Sequence, residues 1–550
     1  MAVLADFLDD LLGGLGVVAW SLAVGGILWM LVVLRSWRRV AAPATEATRA
    51  GLVVVLAGAV GVAVAALSQI AIKAWILSET LGRPAFGEFL ATPFCRARIV
   101  QAVFGVALAF ATAWLRAAPA TARRWGVVLA ATVGMVVNGA WLVHAASRLE
   151  GRVQLMALTV LHQLGGGAWA GGIAQLALLW RLAGRRPELG ALWPLALRRF
   201  AWIAAPSVAL LTATGIGLAR TYVGSWAGLV GTPYGAIIVT KIALFAGAGL
   251  LGASSSWWAR RDDRHRMTPA LRTHVPYFVE AEGLILLALL LAAAALSAQP
   301  PAADMGKKVA TVAEVVDVFA PRMPRLTSPP VVAVQEEEVD PLADDDEVGV
   351  GDAWAEFNHN VAGLILIGLT LLALLDRWGV PLARHWPLGF VGLAVFLLFR
   401  NDPEGWPLGP QGFWEGMKEG GILQHRLAVT LACVLGVLEW RARTQRVPTR
   451  LPYVFPVLAF VGGILLLTHS HTAFEAKSDF LLEIAHTGMG LLGIGVACGR
   501  LLELRLRPVD GGWWAGVASL AAMLLIGVIL VFYHEPGTAP AVTAMLGRAP

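Results

Sequence analysis

Downstream of residue 350 the sequence places His359, His425, His469, His471, His486 and His534. Imidazole is the commonest metal-ligating side chain and suits copper, zinc, iron and nickel. Met489 follows His486 by three residues on the same helix face, and a thioether beside an imidazole shifts the preference toward Cu(I). Glu483, one turn before His486, is spaced to act as the acceptor that fixes its tautomer. In Thr468-His469-Ser470-His471 the two rings are two apart, so a continuous helix turns them to different faces, and both reach one ion only if the helix frays. A smaller pair, His144 and His162, flanks a short connection, with Gly165, Gly166, Gly167, Gly171 and Gly172 allowing close helix approach. Asn138, Lys241 and Glu282 interrupt apolar runs, where polar groups are costly and mark pathways or ligand shells. Lys241 is placed to snorkel to the outer surface and Glu282 to the inner one.

These residues need elements to position them, and the composition says which kind. The chain is 57% hydrophobic and 15% charged, with a mean hydropathy of +0.68, which excludes a water-soluble globule. Apolar runs of bilayer-spanning length recur along the chain, and the reading is an all-α, polytopic inner-membrane bundle of roughly fourteen helices. Alternate short connections, which share one side, carry the arginines: Arg35, Arg38 and Arg39, then Arg116, Arg123 and Arg124, and in the second half Arg377 and Arg384, then Arg441, Arg443, Arg446 and Arg450. Basic short loops stay cytoplasmic, so both termini are expected outside and all six histidines at the periplasmic face. The formal charge of +6 is spread over these helix flanks, which argues against nucleic acid as a partner. The first apolar run has Asp6, Asp9 and Asp10 before it rather than a basic flank, and is expected to be retained.

A polar stretch over residues 299–356 divides the chain into an eight-helix unit, 1–298, and a six-helix, histidine-rich unit, 357–550. Its prolines and its run of Glu336, Glu337, Glu338, Asp340, Asp344, Asp345, Asp346 and Glu347 suggest an extended periplasmic linker, or a docking strip for a basic or metal-loaded partner. Cys95, Cys433 and Cys498 form no evident disulfide or CxxC motif. With no phosphate-binding loop in the sequence, no built-in ATPase is expected, and the chain reads as a non-enzyme.

Leu161-His162, Ala168-Trp169-Ala170-Gly171-Gly172, Arg199-Phe200, Thr214-Gly215, Gly231-Thr232-Pro233-Tyr234-Gly235 with Lys241, and Gln299-Pro300-Pro301 together carry a family likeness. This pattern resembles the copper resistance protein D family (CopD/PcoD, YcnJ-like), most strongly over about residues 140–301. The second unit, through Asn358-His359-Asn360, Gln424-His425-Arg426 and the 468–471 segment, is similar to the C-terminal extension of longer members. The resemblance implies copper handling in the inner membrane, with copper as Cu+ or Cu2+. It also implies a separate periplasmic CopC-like copper-binding protein, since the chain shows no such soluble β domain. The family's outer histidines on its fourth and fifth helices map onto His144 and His162, with Val143 where a glycine is usual.

The expected function is therefore periplasmic copper capture followed by transport or relay, with His425, His469 and His486 at the core of a histidine cluster. Two other readings fit the same residues. Paired histidines on facing helices also describe a haem b cytochrome for electron transfer. A copper-delivery assembly factor would bind the ion without translocating it.

Overall fold

Inside a bilayer every backbone N–H and C=O must be satisfied within the segment, so apolar runs of this length fold as helices. The computed structural model describes residues 2–34, 42–261, 272–306, 309–337, 349–445, 450–467 and 476–535. The first half contributes α1 (Ala2–Trp29), α2 (Ala42–Leu81), α3 (Pro93–Ala117), α4 (Ala122–Gly139), α5 (Arg152–Ala183), α6 (Leu192–Tyr222), α7 (Pro233–Arg261) and α8 (Val275–Ala298). A short helix α9 (Val312–Val318) follows. The second half contributes α10 (Val350–Arg377), α11 (Gly389–Arg400), α12 (Gly420–Thr444), α13 (Val454–Leu467), α14 (Ala476–Arg505) and α15 (Gly512–Val531). Extended pairing among the described residues is limited to an isolated bridge between Gly405 and Gln411.

The protein is a polytopic helical membrane bundle, in which twelve helices among the described residues are long and apolar enough to cross a membrane. Two expected spans are not among the twelve. One is α5, where His162, Gln163 and the glycines dilute the apolar run; the other is α13, whose described helix has 14 residues. The short tenth run qualifies because a 3-10 segment, Pro381–Leu388, precedes α11 and extends it.

Small residues set the tightest helix contact. A Cβ at Gly25 of α1 would lie 1.9 Å from the Gly167 carbonyl oxygen of α5, and one at Gly171 would lie 2.3 Å from that of Ser21. Such glycine seams replace the hydrophobic drive that lipid cannot provide. The halves are joined by an apolar layer in which Leu244 of α7 and Ala288 of α8 meet Phe460 of α13 and Ile494 of α14.

One end of the bundle carries the arginines. There Arg443 donates to Asp376 at 2.6 Å and to Glu439 at 2.8 Å, while Arg500 donates to Glu439 at 2.8 Å and Glu503 at 2.7 Å. Arg377 also pairs with Glu503, and Arg505 donates to Glu280 of α8 at 3.1 Å. The opposite end carries the described histidines of interest.

The expected extended linker is docked instead over its first part. Thr311 caps α9, accepting from the Glu314 amide at 3.2 Å, while Glu314 accepts from the Thr311 amide at 2.7 Å. This capping box fixes α9, whose Val315 and Val318 are buried. Residues 338–348, with most of the acidic run, lie outside the described residues.

Replacing Gly171 with valine should force α1 from α5 and cost about 1–3 kcal/mol. A thermal midpoint in detergent equal to that of the unsubstituted protein would show that this seam does not set the packing.

Candidate functional site

The histidine end is built from α10 outward. Asn360 donates through Nδ2 to the Tyr533 carbonyl at 2.9 Å and the Leu530 carbonyl at 3.1 Å, which holds the chain leaving α15 against α10. Tyr533 thereby stacks on His359, with ring centres 4.0 Å apart and an interplanar angle of 27°. His486 of α14 completes the group, 5.7 Å from the His359 ring and 6.2 Å from Tyr533. An ion held through Nε2 at about 2.0 Å lies about 3 Å from each ring centre, so two imidazoles sharing it stand roughly 5–6 Å apart. The spacing of His359 and His486 falls in that range.

Tautomers follow from the acceptors. His359 Nδ1 lies 2.8 Å from the Ala355 carbonyl oxygen and His486 Nδ1 lies 3.1 Å from that of Leu482. A carbonyl only accepts, so Nδ1 donates in both rings and a neutral ring keeps its lone pair on Nε2. Glu483 is therefore not the Nδ1 acceptor of His486. It lines a narrow crevice between the halves, with Asp10, Gln299 and Thr487. Met489 is buried one turn deeper on α14.

His425 is held differently. Its Nδ1 donates to Asp402 Oδ1 at 2.7 Å, and the buried Asp402 also stands 3.7 Å from the Arg426 guanidinium. The sequence reading missed Asp402; its signal was an acidic residue in a loop at the same end as His425.

The six-histidine cluster requires correction. Among the described residues no three His, Cys, Asp or Glu side chains are placed to hold one ion. The physical reason is where the helices that carry the rings are packed. Helix α12, carrying His425, packs on α11 and α13, whereas α10 and α14 each pack on α15. His534 is buried behind Tyr533, with Nδ1 donating to the Phe532 carbonyl at 3.2 Å and Nε2 3.9 Å from Asp317 Oδ2. His469 and His471 lie outside the described residues.

In the first half, His162 Nδ1 lies 2.9 Å from Thr214 Oγ1. That hydroxyl donates to the Leu210 carbonyl at 2.6 Å, so the ring donates to it. A Cβ at Gly215 would stand 3.4 Å from His162 Cε1, so Thr214-Gly215 forms the seat of this ring. His144 opens a 3-10 turn after α4, and its side chain lies outside the described part. Asn138 ties α4 to α3, donating to the Ala97 carbonyl at 2.9 Å and to Gln101 at 2.8 Å. Lys241 sits two turns into α7, partly exposed. Glu282 does not snorkel. It is 2% exposed and accepts the Trp169 indole N–H at 2.7 Å, with Gly252 leaving room for the carboxylate.

Residues 194–296 match the family described as Copper resistance protein D. The matched stretch holds Thr214, Gly215, the 231–235 segment, Lys241 and Glu282. The chain is also 28% identical over 176 residues to a Bacillus subtilis (strain 168) protein named "Copper transport protein CutJ", covering 32% of this chain and 31% of the relative. The matched part thus spans under a third of that relative's length. No solved structure matches. Homology to copper-handling membrane proteins therefore extends over part of the first half, and the family description names resistance rather than catalysis.

Two outcomes follow. Beyond α15, burial and the nearby Asp352 and Glu356 push the Glu535 carboxyl from its ordinary 4.5 up to about 7, against the opposing Tyr533 hydroxyl bond. A raised folded value stabilises the docked tail below pH 4.5 and loses that contribution as pH rises through 7. The thermal midpoint should fall between pH 5.5 and 8, and Glu535→Gln should flatten that slope; equal slopes would remove Glu535 as the cause. Thr214→Val should leave the His162 N–H unsatisfied and cost about 1–3 kcal/mol, whereas Thr214→Ser should restore stability; indistinguishable unfolding of all three would refute the seat.

Proposed function

We propose that this protein captures copper at the histidine end of the bundle, facing the periplasm, and relays it along or moves it across the inner membrane. The observation that carries this reading is the copper resistance protein D match over residues 194–296. The His359–His486 spacing supports it by offering a two-imidazole position with both Nδ1 atoms already engaged. A bound copper ion is cargo here, resting at one or two side chains at a time instead of in a closed cage. His425, oriented by Asp402, is a second capture ligand, and His162 on its Thr214 seat is a relay position deeper in the first half. The buried thioether of Met489 would favour Cu(I) at the deeper end of this route. Asn138 and Glu282, bonded to neighbouring helices, shape the bundle around the path.

The reading includes the topology that the arginine alternation supports: both termini outside, about fourteen spans, and a division into 1–298, a linker over 299–356 and 357–550. It also includes a separate periplasmic copper donor of the CopC type. Copper bound per purified protein should fall on replacing both His359 and His486 with alanine, while His385→Ala, at the arginine end, should leave it unchanged. Unaltered stoichiometry and affinity in the double variant would sink the capture site. Copper accumulation inside proteoliposomes separates transport from delivery without translocation, and a Soret band in the purified protein would replace the copper reading with a haem one.

A further inference from the structure

Residues 309–330 cross the histidine end and touch both halves. At one side the Ala310 amide donates to the Gly231 carbonyl at 2.9 Å, and a Cβ at Gly231 would lie 1.9 Å from the Ala310 carbonyl oxygen. The first glycine of the 231–235 segment therefore admits this crossing strand of backbone, and any side chain there would expel it. Arg148 adds an ion pair to Asp304 at 2.5 Å.

At the other side the hold is of a different kind. Glu314 meets Lys477 of α14 at 2.6 Å, with side chains 38% and 41% exposed, and Arg325 meets Glu356 of α10 at 2.9 Å. Glu356 is buried, whereas the Glu314–Lys477 pair is exposed, and an exposed pair contributes little and weakens with salt. The apolar footprint of α9 is confined to Val315 and Val318, which pack in one cluster with Phe480, Ala485 and Tyr533. Seven residues are too few to keep a helix formed without that contact. Tyr533 is also the ring that stacks on His359 and approaches His486.

We propose that residues 309–330 are a lid over the His359–His486 pair, hinged where Ala310 meets Gly231 and latched by Glu314 on Lys477, and that solutes reach the two imidazoles when the latch releases. The metal consequence rests on the proposed copper function; the gating does not. Burial of the tyrosine against α9 links the two, because lifting α9 uncovers the ring that closes the His359 side.

A zero-length carbodiimide couples a carboxylate and an amine in contact into an amide, the carboxyl oxygen leaving with the reagent as urea. Treatment of the full-length protein should join Glu314 to Lys477, and Lys477→Gln should abolish that product. Carbethoxylation of His359 and His486 by diethyl pyrocarbonate, followed by mass spectrometry, then reads access. The joined protein should react at least tenfold more slowly at both histidines than untreated protein. Glu314→Gln, which keeps the capping box but loses the charge, should react several-fold faster. Equal modification rates in joined and untreated protein would overturn the lid. Copper binding is the separate arm: if the protein binds no copper while the carbethoxylation rates change as stated, the copper reading fails and the lid stands.

Discussion

A carboxylate buried between helices has to be answered by cations, and the arrangement of the second half depends on how Glu439 is answered. Its side chain is 1% exposed and lies between Arg443 and Arg500, each donating at 2.8 Å. Those arginines also reach Asp376 and Glu503, so α10, α12 and α14 are bound at one end by a continuous set of ion pairs. Buried ion pairs are weak stabilisers once their desolvation is counted, but removal of one partner is strongly destabilising. Their effect here is to allow one arrangement of three helices, because any slip would leave a charge without its counter-ion. The histidine end inherits its geometry from that arrangement: His359 and His486 sit near the far ends of α10 and α14.

The same imidazole serves two purposes at the two ends. His385, beside the arginines, accepts the Trp440 indole N–H at Nδ1, 2.9 Å away, and Arg384 approaches its other nitrogen at 3.4 Å. The Nδ1 bond ties α12 to the segment before α11. At the opposite end His162, His359, His425 and His486 each direct Nδ1 to an acceptor close by, a carbonyl, a threonine hydroxyl or a carboxylate. That difference separates a ring that accepts at Nδ1 from rings that donate there and, when neutral, carry the acceptor lone pair on Nε2.

Apolar run length made the helices legible, since the bilayer leaves an apolar segment few alternatives. The arginines were legible as flank markers, but their partners Asp376, Glu439, Glu503 and Glu280 were not, because pairing across helices has no local pattern. For the histidines, sidedness follows from sequence and convergence does not. His359 and His486 meet because α10 and α14 both pack on α15, while His425 is carried by α12, which packs on α11 and α13. The first part of the linker was misread from its prolines and polar composition. Two valines in α9 and one glycine 79 positions earlier than Ala310 are what dock it, and no composition measure weighs three residues so heavily.

The apolar layer between the halves has a consequence for synthesis. Helices α7 and α8 are completed by Ala298, yet the face that Leu244 and Ala288 present is covered by α13 and α14, which come far later in the chain. At typical elongation rates the roughly 180 residues between α8 and α14 take on the order of 10–40 s to make. Throughout that interval the first half must be accommodated by lipid or by the insertion machinery with its eventual contact surface uncovered. Leucine and alanine suit that wait, being as much at home against acyl chains as against another helix, whereas the charged ties of α14 to α8 through Arg505 and Glu280 can close only at the end.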